Sequence, residues 1–302
     1  MNFRIMSLVA AGVSFAGAIF WLFCIISGSN ADGIREAAFI EIQRDFGNMQ
    51  MLNPVMNMGG MNGMSMGTGM GGMPGLNGMV PAYKLTLALR AWCIYQYKNG
   101  FGMPTPLWAD FGDLPSYEVK LIDDSVIQCV HPRVALNDQR IVMTMAQVIG
   151  LQNPMMSMGM RGGFGGDPSG LMFDRGTTLY YGLEAIYYMT LIFSVLTGAI
   201  ALTAITMRRR LLPLISTCCG CVVLILGIIA FSIWTFVFSR LESYITIGNI
   251  WSMNAFVRLG TSYWLTVVGC ILSIVVVIAC AISIVESRKS TDHEVASKKV
   301  GA

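Results

Sequence analysis

The sequence predicts a mainly α membrane protein, in which a bundle of four transmembrane helices carries a small extracellular antiparallel β-sheet closed by a disulfide. Three observations predict it. Hydrophobic residues make up 54% of the 302-residue chain and charged residues only 12%, against roughly 25% in soluble domains. Four apolar runs, at 5–27, 179–207, 211–238 and 260–285, are each long enough at about 1.5 Å per residue to cross about 30 Å of hydrocarbon. Between the first two lies a segment with strand-like alternation and two cysteines, Cys93 and Cys129.

Positive charge orients the spans. Arg208, Arg209 and Arg210 fill the turn at 208–210, which is therefore expected in the cytoplasm. Counting outward, the N-terminus (1–4) with Arg4 and the tail (286–302) with Arg288, Lys289, Lys298 and Lys299 are cytoplasmic as well. Segment 28–178 and the short loop 239–259 are then extracellular, and Tyr180, Tyr181, Tyr187 and Tyr188 form an outer interfacial belt. The first run could instead be a cleaved signal peptide, but it exceeds the 7–15 residues of a signal core. The extracellular segment keeps its side in either case.

After the first span, Ile34, Ala37, Ala38, Phe39, Ile42 and Phe46 recur at helical spacing. They predict an amphipathic helix over 33–46. The Met/Gly loop 49–79 follows, and its stretch 56–73 holds seven methionines and seven glycines with no charge. In "YKLTLALRAWCIYQY", Leu85, Leu87, Leu89, Ala91, Cys93, Tyr95 and Tyr97 alternate as one half-buried strand. Asn99-Gly100 is a turn dipeptide, "SYEVKLID" alternates at Tyr117, Val119 and Leu121, and "SVIQCV" is a short apolar strand. The sheet region is thus 83–130. A second Met/Gly loop, 153–170, precedes the second span.

Cys93 and Cys129 are the two cysteines outside the spans. An oxidising compartment and a small sheet favour a disulfide between them, two free buried thiols being the alternative. Closing that loop contributes about 4 kcal/mol in the chain-entropy model.

Thioether sulfur suits Cu(I), and Met56, Met58, Met61, Met64, Met66, Met70 and Met73 stand at Met-x-Met and Met-x-x-Met spacings. That spacing is permissive, and an adaptable, adhesive contact loop explains it better. No cofactor is expected otherwise. Cys218, Cys219 and Cys221 begin about 12 Å beyond Arg210, deep for lipidation, and read as small residues packed inside the bundle. Glu184 sits near the outer end of the second span, where Arg258 is the expected partner for an outer-leaflet polar contact. Gly12 with Ala16, Ser194 with Gly198, Ser216 with Gly220, and Gly269 with Ser273 are spaced for close helix packing.

No nucleotide loop, HExxH pair or nucleophile motif is present, so the reading is non-enzymatic. A net charge of +3 gives no reason to expect nucleic acid. The expected partners are the lipid bilayer and either further copies of the chain or other membrane proteins. A channel or transporter subunit is a further alternative, weakened by spans with almost no polar residue at mid-depth.

Four spans, cytoplasmic termini and a long first outer loop resemble the claudin-like superfamily of four-span membrane proteins. "AWCIYQY" followed by "VIQCVHP" is most similar to its fungal branch of PalI and eisosome-compartment proteins, carried by Trp92, Cys93 and Cys129, with Gly260 and Tyr263 at the start of the last span. Where claudins have Gly-Leu-Trp this chain has "LRAW". Amastin-like proteins share the architecture and are the rival assignment. The resemblance implies a multi-pass plasma-membrane protein that organises lateral membrane domains by self-association or by escorting partners.

Overall fold

The computed structural model describes residues 3–28, 37–44, 83–97, 118–122, 125–137, 176–207, 211–249 and 255–300. Four helices carry the mass of the chain: α1 (Phe3–Ile26), α3 (Gly176–Met207), α4 (Leu211–Asn249) and α5 (Thr261–Val300). The short helix α2 (Pro132–Asn137) precedes α3. The apolar stretches of the four long helices run for 23, 30, 33 and 26 residues, each enough to cross a bilayer. By length and composition this is a multi-pass membrane protein. The helices pack as a ring in the order α1, α3, α4, α5, with α1 also against α5.

Small and hydroxyl side chains let the helices approach closely. On α1, Ala10, Ser14, Trp21 and Cys24 are buried along one stripe, while Leu8, Ile19, Leu22 and Phe23 point outward. Ser14 donates to the Ser194 carbonyl at 2.7 Å, and Ser194 donates back to the Ser14 carbonyl at 2.9 Å, clasping α1 to α3. Ser216 on α4 donates to the Thr197 carbonyl on α3 at 3.2 Å. Trp21 lies fully buried in a slot between Gly227 and Gly269, where an added Cβ would come within 3.1 and 2.8 Å of its ring.

The strands are β1 (Ile40–Arg44), β2 (Tyr83–Leu87), β3 (Trp92–Tyr97), β4 (Glu118–Ile122), β5 (Ser125–Val130) and β6 (Ala255–Leu259). They form one antiparallel sheet in the order β4-β5-β3-β2-β1-β6. Ile40, Ile42, Leu85, Leu87, Ile94 and Val130 face the bundle, where they join Trp21, Tyr187 and Trp234 in a single apolar core. Cys93, Tyr95, Ile127 and Cys129 form a second buried cluster on the other face, with Ala91 from the β2–β3 turn.

Three sequence expectations are corrected. The predicted amphipathic helix 33–46 contains strand β1 instead. "IEIQR" also alternates with period two, and pairing with β2 on one side and β6 on the other decides the outcome. Residues 83–97 are a hairpin, not one strand. The chain reverses at Ala88–Ala91, so Leu85 and Leu87 share a face with Ile94 and Trp92, while Cys93 lies opposite Thr86 on the other face. The segment expected as a loop at 239–259 contains regular structure: α4 continues to Asn249, and β6 adds an edge strand before α5. The Met/Gly loops 49–79 and 153–170 and the Asn99-Gly100 turn lie outside the described residues.

The hairpin turn lacks glycine, proline and asparagine because it is plugged into the bundle rather than exposed. Ala88 and Leu89 are almost fully buried. The Leu89 and Arg90 amides donate to the Ser27 hydroxyl and carbonyl at 3.4 and 3.1 Å, and the Tyr180 hydroxyl donates to the Leu89 carbonyl. The backbone groups that water would otherwise satisfy are thus held by Ser27, just past α1, and by α3.

Candidate functional site

Beyond the hydroxyls that clasp the helices, a cluster of charged and aromatic polar groups gathers where the sheet meets the bundle. Three elements bring them together: the β2–β3 turn supplies Arg90, the segment after β5 supplies His131 and Arg133, and the first turns of α3 supply Tyr180, Tyr181, Glu184 and Tyr188.

The β3–β5 pairing sets Cys93 directly opposite Cys129, and the two form a disulfide. That link fixes the chain just ahead of His131 and α2. Arg133 then reaches α3, where its guanidinium meets the Glu184 carboxylate at 2.5 Å and lies 4.7 Å from the centre of the Tyr181 ring. Glu184 is buried while Arg133 stays partly exposed. The carboxylate raises the Arg133 pKa, chiefly through the hydrogen bond between them. Arg90 donates to the Tyr188 hydroxyl and its guanidinium lies 5.8 Å from the centre of that ring. His131 accepts the Arg133 amide at Nδ1, at 3.3 Å, with its ring edge-on to Tyr180. Burial, then the charge of Arg133, pushes its pKa down, Glu184 works against them and Arg90 adds to the fall.

Glu184 therefore pairs with Arg133 and not with Arg258. Arg258 stands on β6 opposite Glu41, and Glu41 is bridged to Lys84 at 3.2 Å. Only tertiary packing carries α2 over α3, so spacing in the sequence favoured the wrong arginine. Arg90 and Arg133 are not singled out by sequence pattern, although the lone cation inside "LTLALRAW" is a signal for Arg90, and His131 stands out only as one of two histidines.

The packing candidates divide by helix face. Ser194, Ser216 and Ser273 are buried. A Cβ on Gly198 would touch the Phe15 ring at 3.1 Å, and one on Gly220 would touch Val277 at 3.3 Å. Gly12, by contrast, faces open space, with Ala16 only half-buried beside it, and the inward stripe of α1 runs instead through Ala10, Ser14 and Gly17. Cys218 points outward and Cys219 and Cys221 are half-exposed, so of "CCGC" only Gly220 packs inward. Trp92 stands opposite Val130 on the bundle-facing side of the sheet. Tyr263 is buried, with its hydroxyl 3.0 Å from that of Thr235. Gly260 donates its amide to the Phe39 carbonyl, and its α-carbon passes so close to Ala38 that a Cβ would stand 2.2 Å from the Ala38 oxygen.

The seven methionines proposed for Cu(I) lie outside the described residues. Among the described residues, no three His, Cys, Asp or Glu side chains are placed to hold a metal ion. No protein-family model matches the chain, and neither does any curated protein sequence.

Proposed function

We propose that this protein is a non-enzymatic plasma-membrane scaffold of claudin-like type. It organises lateral membrane domains by assembling with itself or with partner membrane proteins through its sheet-bearing outer region. In this reading both termini and the 208–210 turn are cytoplasmic, in keeping with the arginines there.

The observation that carries the proposal is the continuous core between sheet and bundle. Phe39 stacks on Trp234 of α4 and contacts Tyr187 of α3, and Trp21 of α1 joins the same cluster. A sheet tied to three helices in this way cannot swing freely. Its outer face is presented at a fixed height and angle above the membrane, which lowers the ordering cost of lateral assembly. The Met/Gly loops supply adaptable apolar contacts in this scheme.

The test is native mass spectrometry of the protein extracted in mild detergent, reading assembly mass and bound metal together. A copper-free multimer is the expected result. Stoichiometric copper that disappears on deletion of residues 49–79 would replace the scaffold reading with a Cu(I)-binding one. A metal-free monomer would rule out self-association and direct the search to partner proteins.

A further inference from the structure

The junction cluster holds a guanidinium whose contacts leave its charge uncompensated. Among the described residues Arg90 makes no ion pair; its side-chain partner is the neutral Tyr188 phenol. Arg133, by contrast, has Glu184. The cluster thus carries two guanidinium charges against one carboxylate, with His131 held towards its neutral form.

Depth along α3 places this surplus charge in the membrane. From Met189 to Met207 the helix has 19 residues and no charged group. At about 1.5 Å per residue that is about 28 Å, nearly the whole hydrocarbon thickness. The hydrocarbon boundary then falls at Tyr188, and Arg90, whose guanidinium contacts the Tyr188 hydroxyl, stands at that boundary, within reach of lipid phosphates. Phenols and guanidinium groups are favoured at this level. Below Tyr188, at four-residue spacing on the same side of the helix, Ile192 and Leu196 are exposed apolar residues along which an acyl chain can lie. Tyr188 and Arg90 are half-buried, so the site is open on one side.

We infer that Arg90 binds the phosphodiester of a membrane phospholipid, with the Tyr188 ring beneath the guanidinium and the acyl chain against Ile192 and Leu196. Among the described residues Tyr188 alone takes a hydrogen bond from the Arg90 side chain, which leaves N–H groups for charge-assisted bonds to phosphate oxygens. Its backbone is clamped by Ser27, so its position is set before the lipid arrives. The inference requires that the helices span a bilayer and does not depend on the scaffold role.

The test uses full-length protein in mild detergent, offered an equimolar mixture of phosphatidylglycerol and diacylglycerol. Retained lipid is counted by native mass spectrometry. Phosphatidylglycerol should be retained about tenfold over diacylglycerol, which has no phosphate, and Arg90→Gln should remove that preference. Arg258→Gln, on the edge strand β6, should leave it unchanged. Equal retention by Arg90→Gln and the unaltered protein would overturn the inference. Displacement of the lipid by equimolar inorganic phosphate would also overturn it, since the site would then be one for a free anion. Should Arg90→Gln fail to fold, the unaltered protein still decides. Phosphatidylglycerol with a photoreactive group high on one acyl chain should label the peptide containing Tyr188, Ile192 and Leu196, and labelling confined to other helices would refute the site.

Discussion

Phe39 and Trp234 lie face to face, with ring centroids 4.3 Å apart and planes within 3° of parallel. Phe39 belongs to the short segment that leads into β1, and Trp234 to α4. Both are buried. Removing the ring in Phe39→Ala leaves a void where sheet and helices meet and should cost about 3–5 kcal/mol. The check is the thermal midpoint of the purified protein in mild detergent. Trp234→Phe, which keeps a stacking partner, should lose much less. Equal losses for the two variants would mean that the stack itself does not join the parts.

The disulfide acts on the sheet from its other side. Cys93 and Cys129 are 36 residues apart in sequence and directly opposed on β3 and β5. Releasing them restores freedom to the unfolded loop and should cost about 4 kcal/mol. Cys93→Ser should lower the thermal midpoint and make it insensitive to reductant. The unaltered protein should fall to the same midpoint when reduced. A variant as stable as the oxidised protein would show that strand pairing alone holds β3 to β5.

Two glycines should respond in opposite directions. At Gly260 a methyl group would collide with the Ala38 backbone carbonyl, which cannot rotate away. Gly260→Ala should therefore destabilise the protein by about 3 kcal/mol. At Gly12 a methyl group meets nothing within 4 Å, and Gly12→Ala should gain up to about 1 kcal/mol through helix propensity. Both are read from thermal unfolding in detergent. A loss at Gly12 would indicate that this face of α1 contacts another copy or another protein in the assembly.

That contrast shows where sequence reasoning held and where it stopped. The spans were legible because crossing hydrocarbon requires about 20 apolar residues in a row, a signal independent of neighbours. Which side of each span faces inward was not. α1 is apolar all round, so small-residue spacing could pick out Gly12 and Ala16 as easily as the true stripe through Ser14 and Trp21. The disulfide was legible from compartment and count. The β2–β3 turn was not, because Ala88 and Leu89 are buried and have their backbone satisfied by Ser27, so the usual turn residues are unnecessary. In β1, five residues of alternation were outweighed by the flanking Ala37, Ala38 and Phe39, which extended a helical pattern. The junction cluster depends on α2 lying over α3, a relation that no local pattern encodes.

His131 makes the junction sensitive to acid. Its ring is half-buried; Arg133, Arg90, Glu184 and Tyr180 are the charged and titratable groups around it, and its Nδ1 accepts the Arg133 amide. Its pKa is lowered from the ordinary 6.5, first by burial and then by Arg133. The unfolded chain therefore takes up the proton at a higher pH than the folded one does. Well above pH 6.5 His131 is neutral in both states and makes no difference. As pH falls below that value the unfolded state is favoured, and stability declines until the folded imidazole is protonated too. Protonation also removes the lone pair that accepts the Arg133 amide, loosening α2 beside the Arg133–Glu184 pair. Thermal midpoints measured from pH 7.5 downward should fall through this window, and His131→Asn, whose side-chain oxygen can accept the same amide, should flatten that part of the curve. An identical acid slope in the two proteins would assign the loss to carboxylates elsewhere and remove His131 from the account.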